Sequence, residues 1–235
     1  MFDTFFQDFI KDFTLNFIDD NRWVYLAKGL LTTIQVAFFS VIVGVILGFI
    51  VAIIRSTYEQ TGKLKFPNWI CKLYLTVFRG TPVVIQILII YFVIFGSVNI
   101  DKVVVAVIAF GLNSGAYVAE IIRSGIMSID YGQVEAGRSL GFSYAKTMWL
   151  IILPQAFKNV LPALGNEFIV LLKETSISGY IGLEDLTKGG DIIRSVTYSP
   201  FLPYIAVALI YLAIVIGFTK LVGILERRLR ESDKR

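Results

Sequence analysis

Five long apolar runs divide the chain, near Thr33 to Ile54, Leu73 to Phe95, Val103 to Met127, Met148 to Leu172 and Phe201 to Leu225. A helix that crosses a bilayer needs about 20 predominantly apolar residues. The pattern therefore predicts an all-α membrane protein with five transmembrane helices. Ahead of them Phe2, Phe5, Phe6, Phe9, Phe13 and Phe17 recur every three or four residues, with Asp3, Asp8 and Asp12 mostly between them. That spacing predicts an N-terminal amphipathic helix lying on the membrane. The chain then divides into an interfacial helix over 1–22, a membrane body over 23–228 and a basic tail over 229–235.

The polar connections orient this body. The loop after the first run carries Arg55, Lys63, Lys65 and Lys72 against one acid, Glu59, and the tail carries Arg227, Arg228, Arg230, Lys234 and Arg235. Basic loops favour the cytoplasmic side, and five spans put both segments there, with the acidic N-terminus outside. Asn99 to Lys102 and Lys173 to Pro200 then face outward. The latter balances its charges and contains Gly179, Gly182, Gly189 and Gly190, which suggests turns and a short helix over the outer mouth. Gly44 and Gly48 in the first run permit close helix approach, a dimer contact being one option.

Composition narrows the chemistry. Hydrophobic residues make up 56% of the chain and its mean hydropathy is +0.72, so the net charge of +4 reads as membrane topology and not as nucleic-acid binding. The single cysteine, Cys71, forms no internal disulfide, and with no histidine the chain lacks an imidazole relay and histidine metal ligands. No Gly-x-x-x-x-Gly-Lys-Ser/Thr segment occurs either. Any ATP and magnesium used would belong to another chain, leaving this one a non-enzymatic subunit with no cofactor or metal of its own.

Ionisable groups at membrane depth are costly and mark function by default. Arg79 stands inside the second run just before Gly80-Thr81-Pro82, where Thr81 as N-cap and Pro82 as first helical residue would break and restart the span. The new helix start and the Arg79 fork would attract a carboxylate, with Gln86 on the same face. The alternative is that Arg79 snorkels to the headgroups and Gly-Thr-Pro only kinks the helix. In the third run Asn113, Ser114, Tyr117 and Glu120 fall at helical spacing, and Glu120 lies at about the depth of Arg79. Either the two pair structurally, or they flank a zwitterion. The fourth run contains Pro154, Pro162, Asn159, Asn166 and Glu167, which suit a bending helix with a second acid for an ammonium or cationic side chain. The last run has no central charge and reads as scaffold.

Between the third and fourth runs lies Glu135 to Pro154, a polar segment in which Glu-Ala-Gly is followed after three residues by Gly141 and after nine more by Ile151. A short helix at 132–143 with an acid near its start and little bulk at Gly137 and Gly141 is suited to docking. This spacing resembles the cytoplasmic loop of membrane subunits of binding-protein-dependent ABC importers. Arg79-Gly80-Thr81-Pro82 and Gly115-Ala116-Tyr117 with Glu120 and Arg123 resemble the branch that imports polar amino acids. The likeness covers the chain from about Gly29 to the last apolar run; Gly137 stands where alanine is also usual.

The resemblance implies a type I (MetI-like) importer permease fold in a bacterial inner membrane. It implies a pair of cytoplasmic ABC ATPase subunits, a second permease chain, identical or closely related, and an external amino-acid-binding protein. Glu135, Ala136, Gly137, Leu140, Gly141 and Phe142 would dock on the ATPase, and alternating access would carry a polar or charged amino acid inward. Arg79, Thr81, Gln86, Asn113, Ser114, Tyr117, Glu120 and Glu167 are the candidates for contacting it. Two other classes stay open: an ion-gradient-driven amino-acid carrier using Glu120 or Glu167, and a passive channel or structural membrane protein.

Overall fold

The computed structural model describes residues 2–232, with side chains described over 6–229, and every regular element among them is helical. Helix α1 (Phe2–Phe13) passes through a π turn (Thr14–Ile18) and a 3-10 turn (Asp19–Asn21) into α2 (Trp23–Thr61). Phe6, Phe9 and Phe13 of the aromatic stripe are exposed and Phe17 is buried; the side chains of Phe2 and Phe5 lie outside the described residues. The chain reverses at Asp20 and Asn21, both with positive φ. Arg22 holds that reversal by donating to the Leu15 carbonyl and pairing with Asp20. Asn16, fully buried, accepts a 2.9 Å bond from Thr197 Oγ1 and so fastens this end to the segment before α10.

Helix α2 is longer than its apolar run at both ends, because hydropathy marks only the part embedded in lipid. Nothing interrupts it until Gly62, which adopts the left-handed conformation and accepts the stop. It runs parallel to α5 (Lys102–Met127): Ser40 donates to the Val107 carbonyl, and further along Gly48 abuts Val118. A Cβ on Gly44 would lie 2.8 Å from Ser114 Oγ, and one on Gly48 would lie 2.6 Å from Val118 Cγ1. The glycine pair therefore serves a seam within one chain. Val36, Ala37, Val105, Ala106, Ala109 and Phe110 form its sealed core. Asp101 caps α5 by accepting from the Val103 amide at 2.7 Å.

The second apolar run divides into α3 (Lys65–Gly80) and α4 (Val83–Ile89), the latter extended by a π turn (Ile90–Ile94), and the two parts meet at 110°. The fourth run is helical from Tyr144 to Glu174 through α7 (Tyr144–Thr147), a π turn (Met148–Ile152) and α8 (Leu153–Glu174). The widened turn sits directly before Pro154, and Pro162 lies within α8. Helix α8 packs antiparallel to α5, with Gly125 against Val160 and Ser114 against Glu167.

Among the described residues three helices, α2, α5 and α10 (Phe201–Ser232), are long and apolar enough to cross a membrane, and the bent α3–α4 pair adds a fourth. The fourth run falls short of the expected five by composition, because Gln155, Lys158, Asn159, Asn166 and Glu167 dilute it. The predicted outer segment forms a 3-10 stretch (Thr175–Ile181) and α9 (Leu186–Thr197). It sits on the N-terminal half of α2, where Gly29 meets the Asp185 carbonyl, Gly189 meets that of Tyr25, and Thr33 Oγ1 accepts from the Leu186 amide at 3.1 Å. Helix α10 continues through Ser232, so the basic stretch from Leu229 prolongs the helix as far as it is described.

Candidate functional site

The break in the second run follows from Pro82, which forces the residue before it out of helical geometry. Thr81 is extended (φ −124°, ψ 149°), and Pro82 itself occupies the N-cap of α4 with no side-chain cap. Thr81 thus stands one position earlier than the sequence suggested. Its hydroxyl turns back to donate to the Val77 carbonyl at 2.8 Å and accepts from Gln86 Nε2 at 2.9 Å. The Gln86 amide also reaches the carbonyls of Phe78 and Thr81 at 2.9 and 3.0 Å, and its Oε1 accepts from Asn113 Nδ2 at 2.9 Å. Gln86 and Asn113 are 7% and 3% exposed. Helix ends leave carbonyls without partners, and here Thr81, Gln86 and Asn113 are taken up in closing the end of α3.

Arg79, one turn away from this brace, points to a charged cluster. Its guanidinium lies 5.6 Å from the Tyr117 ring centre and 3.8 Å from Glu120 Oε1. The same oxygen accepts from Arg55 Nη1 at 3.0 Å, while Oε2 accepts from Arg123 Nη2 and Nε at 3.0 and 3.2 Å. Glu59 closes the group, 3.4 Å from Arg55 and 3.9 Å from Arg123. Three arginines on α2, α3 and α5 thus share two carboxylates. Of the two arrangements open for Arg79 and Glu120, the geometry has them paired, with Glu120 already bound by three guanidinium groups.

Arg55 and Glu59 were absent from the sequence-derived candidates, and Arg123 entered only through a resemblance. Their signal was the spacing: Arg55 and Glu59 are four residues apart, Glu120 and Arg123 three, each pair on one helix face.

Glu167 stands apart from the cluster. It is half-buried and accepts a 2.8 Å bond from the fully buried Ser114. The eight candidates therefore divide three ways: Thr81, Gln86 and Asn113 in the brace; Arg79, Tyr117 and Glu120 at the cluster; Ser114 and Glu167 between α5 and α8. Helix α5 contributes to all three.

The docking segment forms α6 (Gly132–Ser139), four residues shorter than the expected 132–143. Gly141 ends it in the left-handed conformation (φ +82°), with the Gly141 amide bonded to the Arg138 carbonyl and the Phe142 amide to that of Gly137. This is a Schellman stop, in which a residue without Cβ is preferred. Glu135, Ala136 and Gly141 are exposed, Leu140 is 76% exposed and Phe142 37%. Gly137 is turned inward instead: a Cβ there would meet Thr147 Cγ2 at 2.7 Å. Its missing side chain serves packing of α6 on its own chain, which corrects the expectation that it clears room for a partner.

At the other end α9 carries two acids shifted in opposite directions. Asp185 caps the helix by accepting from the Thr187 and Lys188 amides, and burial pushes its carboxyl up. Asp191 bonds to Lys188 and Arg194 at 2.8 and 2.7 Å, which hold its carboxyl down, from the ordinary 3.8 to about 2.

Residues 44–231 match the family described as "Binding-protein-dependent transport system inner membrane component". The chain is 41% identical to the arginine transport system permease protein ArtQ of Bacillus subtilis, over 89% of this chain and 94% of that one. It superposes with a TM-score of 0.81 on a solved amino acid ABC transporter crystallised with histidines, at 44% identity, covering 90% of this chain and 98% of that one. The MetNI methionine ABC transporter in inward-facing form shares the fold at 18% identity, with a TM-score of 0.72 over 89% and 96%.

Proposed function

The chain belongs to the inner-membrane components of binding-protein-dependent transport systems, and on that premise we propose that it is the permease subunit of an ABC importer of polar amino acids. The likenesses give no support to an ion-gradient carrier. ATP and magnesium would be handled by a separate cytoplasmic ATPase pair. A second permease chain, the same or closely similar, would complete the path, and an external binding protein would deliver substrate. The basic loop and tail favour the cytoplasm for the α6 end. The clasp between Asn16 and Thr197 favours an external N-terminus, since it ties that end to the opposite cap.

The observation that carries this reading is the form of α6. A short helix sealed inward by Val134 and Gly137 presents Glu135, Ala136 and Leu140 outward, and a left-handed Gly141 fixes where Phe142 emerges. Leu140 and Phe142 would enter a groove of the ATPase, with Glu135 facing a basic group on the partner. Closure of the ATPase around nucleotide would then tilt α5 and the helical stretch from α7 to α8, which precede and follow α6.

For the substrate, the geometry revises the candidates. Glu120 is already neutralised by three arginines, and Thr81, Gln86 and Asn113 bond to one another and to the end of α3. That leaves Glu167, oriented by Ser114, to receive an ammonium or cationic group, with Arg79 over Tyr117 as the opposite pole for a carboxylate.

The test is Leu140→Asp in the reconstituted complex with its ATPase. The variant should insert and hydrolyse ATP while ATP-driven amino-acid uptake falls at least tenfold, the effect of losing about 1.4 kcal/mol or more of coupling. Uptake at the unaltered rate would remove α6 from the docking role.

A further inference from the structure

A pocket of about 500 Å³ opens beside the charged cluster, and Arg55, Lys72, Thr76, Arg79 and Glu120 are among the residues that line it. Its charge does not balance. Three guanidinium groups share two carboxylates, and Lys72 adds a cation that has no ion-pair partner among the described residues. The buried Nε of Arg55 also lacks a hydrogen-bond partner there. Positive charge is thus left over at the pocket, and an anionic oxygen would answer it.

The flank of the pocket is apolar. On α3, positions 72, 75, 76 and 79 share one face at about 100° per residue, and 66, 69, 70, 73 and 77 fall on the adjoining face. Phe66, Trp69, Ile70, Leu73 and Val77 on that second face are all exposed. Phe66 and Trp69 stack at 6.3 Å near the start of the helix, with Lys63 and Lys65 beside them. A cationic hollow next to an uncovered aliphatic and aromatic stripe matches a molecule that joins an anionic group to hydrocarbon chains.

We infer that this face of α3 binds an anionic phospholipid of the inner leaflet, its phosphate in the pocket against Lys72 and Arg55 and its acyl chains along Phe66, Trp69, Leu73 and Val77. The inference rests on the cytoplasmic orientation proposed above, because only then do these residues lie at inner-leaflet depth. Substrate would instead be met by Glu167 and by Arg79 over Tyr117, and the phosphate by Lys72 and Arg55.

The experiment uses the complete complex with its ATPase and binding protein, in vesicles of zwitterionic lipid alone or with added phosphatidylglycerol, and native mass spectrometry of the detergent-purified complex. Phosphatidylglycerol should be retained in preference to zwitterionic lipid and should stimulate uptake. Lys72→Gln should reduce both retention and stimulation roughly fivefold, the factor one basic side chain contributes at an anionic surface, while uptake in zwitterionic vesicles stays unchanged. Lys220→Gln, an exposed lysine on α10, should change neither. Equal retention by Lys72→Gln and the parent overturns the assignment, as does an equal loss in Lys220→Gln, which would mean diffuse surface attraction. Inorganic phosphate that reproduces the stimulation in zwitterionic vesicles would make the ligand a free anion and also overturn it. Failure of the importer reading is a separate result: no nucleotide-driven uptake in any vesicle, with Lys72-dependent lipid retention intact.

Discussion

The seam between α2 and α5 and the break between α3 and α4 hold helices together by opposite means. Along the middle of the seam side chains are missing: Gly44, Gly48 and Gly111 let backbones approach, and the core there is apolar. At the break the chain exposes carbonyls in a place with little water, and Gln86, Asn113 and Thr81 close them. In lipid neither solution is driven by exclusion of water between helices, so close van der Waals fit and hydrogen bonding carry the association. The seam has one arrangement, fixed by shape. The brace is a set of directional bonds at the one sharp bend among the described apolar helices.

The strongest way to break this contrast is at the seam. Gly48→Leu drives a branched side chain into Val118 and the backbone of Ala119, and overpacking of this kind costs about 3 kcal/mol. The chain should fail to accumulate as a folded complex, measured by size exclusion after membrane extraction. Normal accumulation would mean that α2 and α5 slide freely.

At the brace, Gln86→Leu keeps the volume but costs Asn113 its side-chain partner and the Thr81 carbonyl its bond from Gln86, at about 2 kcal/mol for the buried polar groups affected. The complex should assemble with a lower melting temperature and slower uptake. An unshifted melting temperature would show that the break holds by packing alone.

Acid sharpens the comparison by its smallest effect. The glycine-lined part of the seam and the brace contain no carboxylate of their own among the described residues, so both should respond little to mild acid. The outer cap differs, since Asp191 is held at about 2 by Lys188 and Arg194. A carboxyl whose folded value lies below its free value stabilises the fold above about pH 4, and that contribution disappears as pH falls through about 2. Protease sensitivity of α9 should rise over that window, and Asp191→Asn should be sensitive already at neutral pH and flat below it. A parallel acid response in the variant would assign the effect elsewhere.

Much of this was legible in the chain itself. Apolar run length located every long helix, and Pro82 located the break, because both effects are local. The polarity of the fourth run blurred the span count, since a helix packed on its own bundle tolerates a half-buried Glu167 bonded to Ser114 that a lipid-facing one would not. Site residues were harder. Gln86 and Asn113 have the donors a substrate would need, and only three-dimensional proximity reveals that they satisfy each other. Gly137 and Gly141 look alike in sequence, yet one yields space to Thr147 and the other adopts a backbone conformation that L side chains avoid. Their difference depends on which face of α6 turns inward.

Helix α2 meets the outer cap at Gly29 and the arginine cluster at Arg55, and its 39 residues extend roughly 58 Å at about 1.5 Å each. A rod of that length, keyed to α5 along its middle, has the form of a lever with one arm under α9 and the other at the arginine cluster. With the orientation proposed above, a small swing imposed at the arginine end would be answered by an opposite swing beneath α9, a mechanical link that bypasses the path itself.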